Sequence, residues 1–227
     1  MRAPQQADPP RSQRPKPPTA RCGCQYRLPG RRGRGARTGF SAGIVDRFLV
    51  ATSAQNIPSI LCVNKTDLLE PGSEKPWFHY AAAGVVLLEA SARSGDGASE
   101  LAEHLRGKTA AFCGHSGVGK TSLLRLLLKD NGFGRVGEVN AASGKGRHTT
   151  TGAVLLSGTD GSTWIDTPGI MNFDLIDVSR SDLLSHFPEL SKAAALCWAG
   201  CCHDAEKDCA LRPLARFASY RQILSSL

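Results

Sequence analysis

From Phe40 onward the apolar positions follow two distinct periods. In IVDRFLVATSAQN, Ile44, Phe48, Leu49 and Ala51 or Thr52 recur at helical spacing. That run stops near Asn56 and Pro58, so a helix is expected to end there. SILCVN, residues 59 to 64, is a short unbroken apolar run and predicts a buried strand. GVVLLEAS, residues 84 to 91, predicts a second strand, and residues 70 to 83 between them form a connection with no defined period. ASELAEHLRG then predicts a helix closed by Gly107. TAAFCG predicts a strand running straight into a Gly-rich turn, and KTSLLRLLLKD the helix after that turn. TGAVLLSG and STWIDT predict two strands joined by a Gly-Thr-Asp-Gly turn. Strands alternating with helices specify an α/β fold, with a parallel or mostly parallel sheet and helices on both faces. No internal repeat is present.

Residues 1 to 38 lack this patterning. They are rich in Pro, Arg and Gly and cannot bury enough apolar surface to offset the entropy of ordering, so a disordered N-terminal tail is expected. The net charge of +8 is concentrated there. Residues 1 to 40 hold ten Lys or Arg against the single acid Asp8, while the remainder holds 18 basic and 19 acidic groups. The pI of about 9.3 therefore describes the tail, and the body is near neutral. An Arg-rich, acid-poor start resembles an organelle transit segment, although its prolines oppose an amphipathic helix. It would also suit non-specific contact with RNA phosphates, or serve only as a solvated tail. The cytoplasm or an organelle matrix is the expected location. No stretch reaches the ~18 to 20 unbroken apolar residues of a membrane span, so no membrane partner is expected.

GHSGVGKT, residues 114 to 121, matches G-x-x-x-x-G-K-[ST] without a gap. It follows a predicted strand and opens a predicted helix. Backbone N–H groups of Gly114, His115, Ser116, Gly117, Val118 and Gly119, with the helix start at Lys120, Thr121 and Ser122, would cradle phosphates. Lys120 would reach the β and γ phosphates, and the Thr121 hydroxyl would ligate Mg²⁺. In WIDTPGI, residues 164 to 170, Asp166 would turn a carboxylate towards Mg²⁺ and the Gly169 N–H would reach the γ phosphate. GKGRHTTTG, residues 144 to 152, lies between them and offers three successive threonines, of which Thr150 is the candidate to complete Mg²⁺ coordination. A solvated loop entering a strand is the plainer account of that segment.

NKTD, residues 64 to 67, ends the first predicted strand. The Asp67 carboxylate can accept two hydrogen bonds from N1–H and N2–H₂ of guanine, and adenine offers no such pair. Asn64 would tie this loop to the phosphate loop, and the Lys65 stem would cover the base. Ser91 and Ala92, after the next strand, would supply a backbone N–H to guanine O6. The combination argues for GTP over ATP.

Four of the eight cysteines fall within residues 197 to 209. Cys197, Cys201, His203 and Cys209 make C-x₃-C-x-H-x₅-C, a donor set suited to tetrahedral structural Zn²⁺. Cys202 is an alternative to Cys201. Without an export signal a reducing compartment is expected, which favours metal over disulfides.

The order of these loops along the chain is base, phosphate, switch threonines, Asp-Thr-Pro-Gly, a circular permutation of the usual GTPase order. With VDRFLVATSAQNIPSILCVNKTDLL, GRVGEVNAASGKGRHTTTG, IDTPGIMNFDL, FPEL and RFASYRQIL, the chain resembles the circularly permuted GTPases of the RsgA (YjeQ) type, the small-ribosomal-subunit-dependent GTPases, over about residues 40 to 227. The resemblance implies a circularly permuted P-loop GTPase domain over 39 to 177 and a small α-helical zinc-binding module over 178 to 227. It implies GTP hydrolysis with Mg²⁺ in late maturation of the small ribosomal subunit, with that subunit and its rRNA as partners and the chain itself a monomer. It makes His148 a candidate for positioning the attacking water, beside Lys120 and Thr150, since Ile170 stands where many GTPases place a Gln. The family's zinc spacing is C-x₄-C-x-H-x₅-C, one residue longer in the first gap. The family also carries an N-terminal OB-fold barrel that residues 1 to 40 cannot form. The alternative is a GTP-binding switch without ribosome-linked activity.

Overall fold

The computed structural model describes residues 21–27, 40–130, 134–139, 153–158, 160–167, 175, 177–204 and 206–227; for 21–27, 129–130 and 134–139 the description is of the backbone alone. A seven-stranded sheet forms the centre. Its strands are β1 (Arg21–Arg27), β2 (Ser59–Asn64), β3 (Val86–Ala90), β4 (Thr109–Cys113), β5 (Gly134–Val139), β6 (Ala153–Ser157) and β7 (Thr163–Asp166), in the spatial order β3-β2-β1-β4-β7-β6-β5. Strands β3, β2, β1, β4 and β7 are mutually parallel, while β6 and β5 are added antiparallel at one edge. The expected mostly parallel sheet is therefore present.

Parallel pairing has a direct consequence for the loops. The ends of β2, β3, β4 and β7 all point to one edge of the sheet, and ligands of open α/β sheets bind outside those carboxyl ends. Asn64↔Ala90 and Phe112↔Asp166 stand in register there. Chain order is irrelevant to this outcome.

Strand β1 falls within the N-terminal region. Residues 1 to 38 were expected to be a disordered tail, yet Arg21–Arg27 runs between β2 and β4, pairing Cys22 with Ser59 and Ala111. RCGCQYR does alternate, with Cys22, Cys24 and Tyr26 between Arg21, Gly23, Gln25 and Arg27, but this short period-two pattern sits within a stretch rich in Pro, Arg and Gly. Backbone groups in the gap between two parallel strands are nonetheless satisfied by any extended segment. Two further elements fall where no period was evident: α2 (Phe78–Ala82) within the undefined connection, and β5.

Helix α1 (Ala42–Ala54) ends as its sequence requires. Asn56 takes a left-handed backbone, φ 54°, and the Ile57 and Asn56 N–H groups bond Thr52 and Ser53 carbonyls at 2.8 and 3.0 Å, a Schellman closure. Helices α3 (Ala98–Leu105) and α4 (Lys120–Asp130) cover one face of the sheet, with Leu101, Leu105, Leu123, Leu124 and Leu127 packed on Ile60, Phe112 and Trp164. On the opposite face Val45, Phe48 and Leu49 of α1 join Leu61, Val63, Trp77 and Tyr80.

A third core lies beyond α1. Leu175, Val178, Leu183, Phe187, Leu190, Leu211, Phe217, Tyr220 and Ile223 are buried together, and Val50, Ala51 and Ala54 of α1 complete the cluster. Helices α5 (Pro188–Ala194) and α6 (Phe217–Leu224) frame it. The residue joining the two halves is Arg216, whose side chain is 2% exposed. Its Nε donates to Asp46 Oδ1 at 2.7 Å and its Nη1 to Glu189 Oε1 and Oε2 at 3.0 and 3.2 Å. The guanidinium also stacks between the Phe187 and Tyr80 rings, 4.5 and 5.2 Å from their centroids. Among the described residues no helix is long and apolar enough to cross a membrane.

Candidate functional site

A pocket of about 540 Å³ opens at the carboxyl edge of the sheet. Asn64, Lys65, Asp67 and Ala92 line one side, and Ser116, Gly117, Gly119, Lys120, Thr121 and Ser122 the other. Thus the loop after β2 and the loop after β4, some 50 residues apart, border one cavity. Leu68, Arg93 and Thr167 also line it. None of these was singled out from sequence, though each is a neighbour within a recognised segment.

Asn64 is the hub. It is fully buried, and its Nδ2 donates to the carbonyls of Val118 and Gly119 at 3.0 and 3.4 Å. Its Oδ1 accepts from the Lys65 and Ala92 N–H groups at 2.8 and 3.0 Å. One carboxamide therefore holds three loops. A Cβ at position 119 would collide with Asn64 Nδ2, so the close approach demands glycine, as does its φ of +95°. Of the Ser91 and Ala92 N–H groups expected to serve guanine O6, that of Ala92 donates here to Asn64 and that of Ser91 to Asp96 O at 2.9 Å.

On the base side, Lys65 has a left-handed backbone, φ 70°, which is strained for a side-chain-bearing residue. The Asn64 bond to its N–H and the 2.9 Å bond from Lys65 Nζ to Gly117 O hold it so. Its stem thereby bridges towards the phosphate loop. Asp67 Oδ1 accepts the Ser91 hydroxyl at 2.6 Å, and Arg93 Nη1 lies 4.0 Å from Oδ2. Ser91, wholly buried, orients the carboxylate of Asp67, which lines the pocket. Thr66 Oγ1 donates to Ala90 O at 3.0 Å, stitching the two base loops together.

On the phosphate side, Lys120 Nζ donates to the carbonyls of Gly114 and His115 at 2.7 and 3.2 Å. Burial draws the Lys120 ammonium below the usual lysine range, and Asp166 opposes that shift. Burial likewise raises the Asp166 carboxyl, against its bond from Thr121 and the charges of Lys120 and Arg125. Thr121 Oγ1 donates to Asp166 Oδ2 at 3.0 Å, whereas Asp166 Oδ1 is buried without a partner among the described residues. A hydroxyl beside a carboxylate with an orphaned oxygen is a hard-oxygen donor set that fits Mg²⁺. His148, Thr150 and Gly169 lie outside the described residues.

The second site is the cysteine cluster. Ligand atoms of Cys197, Cys201, His203 and Cys209 all lie within 4.8 Å of one another. Cys197 Sγ is 3.9 Å from Cys209 Sγ, which is 3.6 Å from His203 Nδ1. Tetrahedral zinc with Zn–S of about 2.3 Å places its sulfurs roughly 3.8 Å apart, so the cluster has the dimensions of a zinc centre. The Ala210 N–H donates to Cys197 Sγ at 3.2 Å, the outer-sphere bond that steadies a thiolate ligand. Cys202 is exposed and turned to Gly200 O, outside the cluster. Gly200, φ 96°, lies within the short first gap, and the cysteine whose Sγ joins the cluster is Cys201. Cys209→Ser is expected to abolish binding of about one zinc per chain, and Cys202→Ser to leave it intact, measured by elemental analysis of the purified protein. Chelation should strip hydrogen-exchange protection from residues 183 to 224, since structural zinc contributes on the order of 10 kcal/mol to such modules.

The family model described as RsgA GTPase matches residues 35–176. The chain belongs to the RsgA GTPase family. The small ribosomal subunit biogenesis GTPase RsgA of Pseudomonas putida is 40% identical over 197 residues, covering 81% of this chain and 57% of the relative. The protein of the same name from Ectopseudomonas mendocina is 40% identical over 199 residues, covering 82% and 58%. The chain thus spans little more than half the length of these RsgA relatives. Among solved structures, YjeQ from Thermotoga maritima superposes with a TM-score of 0.64 at 25% identity, over 90% of this chain and 70% of that one. YloQ, a circularly permuted GTPase, superposes at 0.62 and 24% identity, a likeness of fold. RsgA membership agrees with the permuted loop order.

Proposed function

We propose that the chain is a GTPase that hydrolyses GTP to GDP and phosphate and acts in biogenesis of the small ribosomal subunit. The observation that carries the proposal is Asn64, whose one side chain joins the base loop, the Ala92 loop and the phosphate loop into a single pocket. Guanine would pair with the Asp67 carboxylate already oriented by Ser91. The triphosphate would lie along Gly117, Gly119 and Lys120, whose ammonium would leave the Gly114 and His115 carbonyls for phosphate oxygens. Mg²⁺ would be held by Thr121, with Asp166 beside it, and would neutralise charge on the β and γ phosphates.

Catalysis in such a site is positioning and electrostatic stabilisation of the transferring phosphoryl group. The loop backbone is fixed by the fold before substrate arrives, and the Lys120 ammonium has only to exchange its two carbonyl partners for phosphate oxygens. Thr150 is assigned to Mg²⁺, Gly169 to the γ phosphate and His148 to the attacking water. The partner is the small ribosomal subunit, as the names of the RsgA relatives indicate.

The test is nucleotide hydrolysis with and without isolated small subunits. Stimulation by subunits, preference for GTP over ATP, and a loss of about 10² to 10³ in rate for Lys120→Ala are expected. Hydrolysis that ignores subunits would leave a nucleotide switch of another kind. His148→Ala should lower stimulated turnover while leaving GTP affinity unchanged.

A further inference from the structure

Asp67 rides on very little local structure. It sits in the middle of a single 3₁₀ turn, Thr66–Leu68, which follows the left-handed Lys65. Two backbone hydrogen bonds define that turn, Leu68 N–H to Lys65 O and Leu69 N–H to Thr66 O, each 3.0 Å. Bonds of this kind have poorer geometry than those of an α-helix. Asn64 fixes the chain on entry, and Leu69, packed with Leu61, Val63 and Trp77, fixes it on exit. The orientation of the carboxylate between them has to come from side chains.

Two side-chain bonds supply it. Backbone pairing of β2 with β3 ends at Asn64↔Ala90. Past that point the Thr66 hydroxyl donates to Ala90 O at 3.0 Å, and the Ser91 hydroxyl to Asp67 Oδ1 at 2.6 Å. Consecutive residues of one loop thus bond consecutive residues of the other, in continuation of the sheet. Ser91 Oγ also accepts the Arg93 and Ser94 N–H groups at 3.2 and 3.1 Å, so its one proton is left for Asp67. Ala90 and Ser91 are both fully buried, which makes them firm anchors. A single tie at Asp67 would act as a pivot. The second tie, one residue earlier, removes the rotation that a pivot leaves.

This rotation matters for one comparison of bases. Guanine and hypoxanthine both present N1–H, and they differ at position 2, where guanine carries an N–H₂ and hypoxanthine a C–H. A carboxylate gains on guanine only the bond to that amino group, and a tilt of the carboxylate weakens it. Nothing in guanine chemistry asks for a threonine between Lys65 and Asp67; the tie to Ala90 does.

We infer that Thr66 is a positioning residue for base selection: by holding the Asp67 carboxylate in one orientation, it sets the preference for guanine over hypoxanthine. The inference rests on the guanine site proposed above.

The experiment titrates GTP and inosine triphosphate against the full chain and against Thr66→Val, Thr66→Ala and Thr66→Ser, after thermal melts have established which proteins are folded at the assay temperature. The wild type should favour GTP by about tenfold or more, since inosine leaves one carboxylate oxygen unpaired. Thr66→Val keeps the shape and removes the hydroxyl, and it should lower the ratio of the two affinities by about threefold to fivefold, mainly through GTP. Thr66→Ala should do the same, and either variant carries the test if the other fails to fold. Thr66→Ser should restore the wild-type ratio. A threonine that only steadies the fold would weaken both nucleotides equally, so an unchanged ratio in a selective protein overturns the inference and leaves the guanine site standing. Failure of Thr66→Ser to restore the ratio also overturns it, because the loss would then belong to the methyl group. A wild type that binds both nucleotides alike would remove the guanine site and the inference together.

Discussion

Asp67→Asn should convert a guanine site into a xanthine site. In the structure the Asp67 carboxylate is fixed by the Ser91 hydroxyl on one oxygen, and the loop carrying it is tied to the phosphate loop through Asn64. Asparagine at 67 keeps the size and the Ser91 bond but replaces an acceptor with an N–H₂ donor. Guanine then sets its N2–H₂ against that donor, while xanthine offers a carbonyl at C2 in its place. Sites built around a polar pair discriminate by about 10⁴ when the pair is lost. GTP affinity should therefore fall by that order and affinity for xanthosine triphosphate rise, with the phosphate loop untouched. Titration of both nucleotides against wild type and variant measures it. An unchanged ratio would mean that Asp67 does not read the base.

Arg216→Ala should cost about 3 to 5 kcal/mol of stability. Asp46 is fully buried, and its Oδ2 already lacks a partner among the described residues. Removing the guanidinium strands the whole carboxylate, loosens Glu189 and empties the slot between Phe187 and Tyr80. Set against the roughly 5 to 15 kcal/mol that holds a typical domain together, this is a large fraction. Arg216→Lys should be intermediate, because a single ammonium cannot make the forked contacts. Arg216→Met combined with Asp46→Leu should recover much of the loss, since no buried charge is left unpaired at α1. Urea unfolding midpoints give the comparison. A cost below about 1 kcal/mol for the alanine variant would show the ion pair to be incidental.

The parts of this molecule legible in its sequence are those whose signal is local. SILCVN and TAAFC declare themselves by unbroken apolar runs, and α4 by the glycines and Lys-Thr before it. The phosphate and base loops are legible because each couples a turn to a chemical requirement. The pocket they share follows once both strands are known to be parallel. What escaped reading is non-local. RCGCQYR carries a brief alternation of Cys22, Cys24 and Tyr26 with polar residues, but its place between β2 and β4 is a fact about backbone pairing with strands far along the chain. Arg216 and Asp46 are 170 positions apart, so no window contains both. Helix α2 is short and follows a Pro-Trp pair. At the zinc cluster, spacing alone could not separate Cys201 from Cys202; the fold does so by gathering Cys201 with Cys197, His203 and Cys209 while Cys202 stays exposed.

Helix α1 has an implication for how this protein can be divided. One flank supplies Phe48 and Leu49 to the nucleotide-binding half, and the other supplies Val50, Ala51 and Ala54 to the C-terminal half. A cut at Asp177 would yield a first fragment with a naked greasy stripe and a second with a missing wall. Evolution would find it hard to shuffle either portion into a new gene alone, and fragments expressed separately should clump until mixed.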